Sequence, residues 1–174
     1  MIAAIGTQHS QQVLMAMAAL SALVLIATTR SAGETGVSLA PRTLVSAAGV
    51  VALAIYVGRT VIPVPALLVG YGRYSATYVN AHGEWLFVGE GMNSSVAVSQ
   101  SGGVLSYHNA GKVQASSQPQ DMRLQRMLGH LATLLPSQAP KSVLVIGFGA
   151  GVTAGAVSVD PRVERELVVD IEPL

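Results

Sequence analysis

Three glycines in five residues, Gly147-Phe148-Gly149-Ala150-Gly151, follow directly on the unbroken apolar run Ser142–Ile146. Glycine lets a chain turn tightly and lets a ligand approach the backbone. A helix that starts at such a turn offers free N–H groups to an electron-rich ligand. Asp170 lies 19 residues past Gly151, near the end of a second apolar run, Glu166–Ile171. A carboxylate there, over the same crevice, can accept both hydroxyl hydrogens of a ribose. The interval is close to the ~20 residues of nucleoside-binding units. The chemistry suggested is nucleoside or dinucleotide binding. Spacing does not separate NAD from an S-adenosyl ligand. Val152, however, stands where the last position of GxGxxG favours glycine, which counts against NAD.

These groups need a strand, a turn, a helix and a second strand to position them. Ser142–Ile146 reads as a buried strand of a parallel sheet. A small-residue helix over Val152–Val159 follows, ended by Asp160-Pro161, and Glu166–Ile171 is the second strand. Upstream, Asp121 sits at the start of a predicted helix. Its residues Leu124, Met127, Leu128, Leu131, Leu134 and Leu135 share one face, Arg123 and Arg126 point away, and Pro136 closes it. Before that, the short runs Trp85–Val88, Ser94–Val98 and Val104–Tyr107 are punctuated by Gly89, Gly91, Gly102-Gly103 and Gly111. They predict a small antiparallel sheet over residues 84–116, with Ser101-Gly102-Gly103 as a hairpin connection. Trp85 and Phe87 suit either the sheet core or a membrane interface. His108 reads as a turn or surface residue.

The charges divide the chain. Hydrophobic residues make up 51% of its 174 residues and charged residues only 11%, well below the ~25% of soluble domains. Residues 1–83 hold only Arg30, Glu34, Arg42, Arg59 and Arg73, so their composition is that of membrane rather than aqueous protein. Val13–Thr29 has no charge, Gly or Pro and is about long enough to cross ~30 Å of hydrocarbon. A buried soluble helix and a signal peptide are the rival readings. The start MIAAIGTQHSQQ has no basic residue, which weakens the signal-peptide reading. A polar turn over 30–42 leads to a second apolar run, Thr43–Gly58. Pro63 and Pro65 then break regular helix, and 60–72 reads as a distorted continuation, a re-entrant piece or an interfacial segment. The expected organisation is a membrane region over 1–72 with about two helices (13–29 and 43–58), a β region over 84–116 and a βαβ region over 117–174.

Composition also excludes some functions. A net charge of +1 leaves no basic excess for a nucleic-acid footprint. Cysteine is absent, which removes disulfides, thiolate metal sites and cysteine nucleophiles. His9 and His82 have no second ligand at a metal-like spacing, so no metal is expected.

Five stretches together resemble the spermidine synthase (polyamine aminopropyltransferase) family, in particular the bacterial branch fused behind membrane helices. They are Glu90–Val98, Asn109–Ser116, Asp121–Leu131, Val143–Gly151 and Asp170–Pro173, and they cover roughly residues 84–174 in order. The resemblance implies a truncated Rossmann-like, S-adenosylmethionine-dependent transferase domain behind membrane helices. It implies decarboxylated S-adenosylmethionine as co-substrate and a polyamine such as putrescine as acceptor. The second part would then lie in the cytoplasm and the protein in the cell membrane as a multi-pass chain. By position, Gly147, Gly149 and Gly151 would form the turn beneath the nucleoside. Asp170 would bind its ribose, and Gln114 would lie near the ligand. Asp121 and His130 would stand on the substrate side.

This sequence departs from the family pattern at Ala110, Gln120, Leu124 and Arg126, where the family has acidic or aromatic groups. Carboxylates suit a polyamine cation, so their loss touches acceptor specificity more than fold. The family's catalytic aspartate lies beyond the residues matched here, so no catalytic residue is assigned and the chain by itself is expected to be incomplete and inactive. An S-adenosylmethionine-dependent methyltransferase is the second enzymatic reading. A catalytically inactive membrane scaffold or transport-related protein is the non-enzymatic one. Oligomeric state stays open, a homodimer or larger homo-oligomer included.

Overall fold

The computed structural model describes residues 2–31, 41–80 and 83–174. The polar turn expected over 30–42 falls largely outside these residues, and His82 lies outside them. The chain forms two units, Met1–Val64 and Pro65–Leu174.

The first unit is a helix pair, α1 (Ile2–Ser31) and α2 (Pro41–Thr60). Both are longer than the apolar runs suggested: α1 starts at Ile2 rather than Val13, with a non-helical break at Gly6, where φ is 74°. Ala4–Thr28 and Arg42–Thr60 are long and apolar enough to cross a membrane, and the 18-residue apolar window within each has no buried residue. A core helix of a soluble domain would be covered. The helices meet through amides: Gln8 Nε2 donates to Val61 O (2.9 Å) and Gln12 Nε2 to Gly58 O (3.1 Å). These bonds satisfy carbonyls at and just beyond the end of α2, which lack helical partners.

After Pro63 and Pro65, where a break in regular helix is expected, two short helices follow. Helix α3 (Ala66–Tyr71) and a following 3-10 helix (Gly72–Tyr78) belong to the second unit, and α3 packs on its sheet. The sheet is an antiparallel meander of β1 (Glu84–Glu90), β2 (Ser95–Ser101), β3 (Val104–Asn109) and β4 (Lys112–Ser116). Two turns have both central residues at positive φ, as tight type I′ hairpins require: Gly102-Gly103 (56°, 79°) and Ala110-Gly111 (50°, 77°). The second makes a strand of Lys112–Ser116, which has little apolar pattern of its own.

The sheet's two faces do different things. One holds α3 through His108, which is fully buried and not the surface residue its polarity suggests. Its Nδ1 bonds Gly70 O (2.9 Å) and its Nε2 bonds Ser99 Oγ (2.8 Å). A carbonyl only accepts, so Nδ1 carries the proton. Nε2 of the neutral ring then accepts from the serine hydroxyl. Burial lowers the His108 pKa, which favours that neutral form. Tyr71 and Trp85 close around the ring at 5.0 and 5.1 Å. The other face presents Phe87, Val96, Val98, Leu105 and Tyr107 to a cleft.

Helix α4 (Pro119–Leu134), β5 (Ser142–Ile146), α5 (Val152–Ser158) and β6 (Arg165–Val169) complete the unit, with β5 and β6 paired in parallel. Val145, Ala154 and Val157 form the small core between α5 and the strands. The apolar stripe of α4 is correct as a periodicity but does not face this core. Leu124 (60% exposed) and Leu128 (54%) lie open, while Gly129 and Thr133 are buried. Close approach decides the matter: a methyl group on Gly129 would stand 2.5 Å from Thr153 O and 2.8 Å from Ala156 Cβ. The glycine face therefore meets α5, and the leucines do not.

Candidate functional site

The cleft, about 900 Å³, lies between the open face of the antiparallel sheet and the turn from β5 into α5. The strand-to-helix turn forms because Gly147, Gly149 and Gly151 take φ values of 87°, 55° and 75°, a region that side chains with a Cβ rarely adopt. Gly147 N–H donates to Val169 O (2.7 Å), which ties the turn to β6. Gly147 and Gly149 line the cleft. Gly151 caps α5 and is not among the lining residues.

Asp170 also lines the cleft, directly past β6. Its carboxylate accepts from the N–H groups of Glu172 (2.9 Å) and Phe148. These donors, Glu172 first, lower its pKa. It is therefore ionised and joined to the glycine turn, with lone pairs to spare for hydroxyl donors. Gln114 comes to the same cleft from β4. Asp121 stands one contact back: Ser116, a lining residue, donates its hydroxyl to Asp121 Oδ2. His130 does not join them. It borders a separate shallow groove on α4 with Pro119, Met122, Arg123, Arg126 and Met127.

Sequence reasoning left several lining residues unassigned. Phe87, Tyr107 and Phe148 supply aromatic wall, Met122 enters from α4, and Glu172 supplies a second carboxylate. The alternation of β1 and β3 carries the signal for Phe87 and Tyr107. No local pattern marks Glu172, because its partners lie some 80 residues away in the chain. Among the described residues the lining holds two carboxylates and no Lys, Arg or His. No group of three metal-ligating side chains occurs among the described residues.

Comparison with protein-family models, curated proteins and solved structures returned no match for this chain. The site's own geometry is therefore what bears on function.

Proposed function

We propose that the chain is an aminopropyltransferase-like membrane protein. In this reading its second unit is the beginning of a Rossmann-like domain that takes decarboxylated S-adenosylmethionine, with a polyamine such as putrescine as acceptor. The observation that carries this reading is the composition of the cleft. A glycine turn, Asp170 and Gln114 meet on an apolar, aromatic wall with two carboxylates and no basic side chain. Decarboxylated S-adenosylmethionine bears a sulfonium and an ammonium and no carboxylate, so the field of such a cleft favours it. Ordinary S-adenosylmethionine brings a carboxylate that no lining cation meets, which disfavours the methyltransferase alternative. A dinucleotide pyrophosphate would lie beside two like charges.

When bound, the co-substrate supplies a methylene activated by the neighbouring sulfonium. The chain's own part is binding and orientation: Asp170 accepts from ribose hydroxyls, the apolar wall excludes water, and the carboxylates offset cationic charge. Asp121, one contact behind Ser116, is the carboxylate with which an acceptor ammonium would pair. Asp170 and Glu172 are both engaged by backbone N–H groups that lower their pKa values. Neither is a strong base for an attacking amine. That observation favours a second reading, a membrane scaffold or transport-related protein that binds the ligand without turnover. The two apolar helices support membrane association, and in this reading the protein is a multi-pass protein of the cell membrane. S-adenosyl ligands are made in the cytoplasm, which implies that the second unit lies there.

The test is titration calorimetry of the detergent-purified chain with decarboxylated and ordinary S-adenosylmethionine, with Asp170→Asn as control. The expected result is preference for the decarboxylated form, lost in the variant. Failure of both ligands to bind protein whose Trp85 fluorescence shows a folded second unit would overturn the reading. Putrescine-dependent product would establish an enzyme, and binding without product leaves the second reading standing.

A further inference from the structure

Segment 170–174 runs from the end of β6 across the cleft to β1 and the turn after it. Glu172 ends in a nest of three consecutive backbone donors. Asn93 N–H (2.9 Å) and Ser94 N–H (3.0 Å) point at its Oε2, and Met92 N–H (3.2 Å) points at Oε1. Asn93 Nδ2 also donates to Ile171 O, which makes four hydrogen bonds between this turn and the segment. Leu174 reaches β1 beside Gly89, where a methyl group would stand 3.1 Å from Leu174 Cδ1. Consecutive N–H groups converging on a carboxylate make a strong, directional anion seat. The turn that forms it is closed by Gly91 N–H on Ser94 O (2.9 Å).

The same segment touches the ligand side of the cleft. Glu172 N–H donates to Asp170 Oδ1, and Asp170 Oδ2 accepts from Phe148 in the glycine turn. A single short stretch of chain thus grips both walls: the glycine turn through Asp170, the antiparallel sheet through Glu172. Ligand hydroxyls that compete for Asp170 act on the residue bonded to Glu172.

We propose that Glu172 is the latch of this cleft. Seated in the Met92–Ser94 nest, its carboxylate holds the antiparallel sheet against the glycine-turn half, and ligand enters and leaves when the seat is vacated. Glu172 acts here as a positioning residue. The gating part of this proposal rests on the ligand-binding reading above; the closure of the two walls does not.

Two variants unseat it by different routes. Glu172→Gln removes the charge and turns an NH2 group toward backbone donors. Gly91→Ala leaves the carboxylate intact but puts a methyl group where Glu172 Oε1 and Oε2 now sit. Gly91 is not at positive φ, so alanine fits its backbone. Hydrogen–deuterium exchange on the full chain in detergent should show amides 92–94 exchanging about ten-fold faster in either variant, the scale of a lost charge-assisted bond. The double variant should go no further than either single one. Unchanged exchange at 92–94 in both variants overturns the latch. With decarboxylated S-adenosylmethionine as probe, the dissociation rate should rise about ten-fold in both variants. Faster amide exchange with wild-type ligand kinetics overturns the gating role. If the wild-type protein binds no ligand, the functional reading fails, while the exchange data still decide whether Glu172 holds the walls together.

Discussion

Replacing His108 with leucine should cost far more than a polar-to-apolar exchange in a core usually does. Leucine fills most of the volume, so little cavity is left. It cannot serve Gly70 O or Ser99 Oγ, which His108 now pairs at 2.9 and 2.8 Å inside fully buried surroundings. Each orphaned group costs about 1–3 kcal/mol. Loss of the edge-on contact with Tyr71 and the tilted contact with Trp85 adds roughly 0.5–1.5 kcal/mol. The sum is about 2.5–7.5 kcal/mol, a large share of a domain's stability. The chain's single tryptophan is the reporter, since Trp85 lies 5.1 Å from the ring. Urea titration in mild detergent, followed through its emission, reads the unit directly.

The pH dependence adds a second check on the same group. Burial places the folded pKa of His108 below its ordinary 6.5, so the folded state binds fewer protons than the unfolded state between the two values. Its contribution is complete above pH 6.5 and declines as pH falls through the lowered pKa. The gap between wild type and His108→Leu should therefore be widest at neutral pH and narrow on acidification. Adding Ser99→Ala to the leucine variant should recover about 1 kcal/mol, because an unpaired hydroxyl is removed. A loss under about 1 kcal/mol, or a gap unaltered from pH 7 to 5, would refute the assignment of His108 as a doubly bonded neutral ring.

Three other outcomes are expected. Ala110 sits at φ 50° in a hairpin turn, so Ala110→Gly should raise the urea midpoint, stabilising by about 0.5–1 kcal/mol once glycine's unfolded-state freedom is set against the relieved strain. Gly129→Ala should destabilise by about 1–2 kcal/mol in the same titration despite alanine's better helix propensity, because the added methyl drives α4 off α5. Backbone donors lower the pKa values of Asp170 and Glu172, so their stabilisation holds above the ordinary carboxylate range and is lost as pH falls through the lowered values. Glu172→Gln should flatten the decline in thermal midpoint between pH 5 and 3.

The elements that could be read from sequence are those whose signal is local. The glycine turn with its flanking strands, the hairpin at Gly102-Gly103 and the two long apolar helices all announce themselves within a few residues. Others needed a partner to be understood. An apolar stretch such as Ala66–Tyr71 is equally suited to lipid and to protein, and only Trp85 and His108 on the facing strands decide between them. Periodicity identified the residues that share a face of α4. It could not say which face meets a neighbour, because that depends on how closely two backbones approach, and Gly129 carried that information. At the site, Gly147, Gly149 and Asp170 followed from the turn and its spacing, Gln114 only from the family resemblance, and the four line one cleft. Glu172 was not legible, because its role comes from a turn on the other side of the cleft, some 80 residues away in the chain.

The meander order of β1 to β4 also bears on how the unit assembles. Each of its strands pairs with its sequence neighbour across a short turn, so the chain closes only small loops to build it. The contact of Glu172 with Met92 spans 80 residues. Pairing β6 with β5 must wait for the crossover through α5, and the contact at Glu172 needs both sheets in place. Folding should therefore be ordered, with the hairpins early and the C-terminal strap last. Mutations at Glu172 should speed unfolding while leaving the folding rate nearly unchanged.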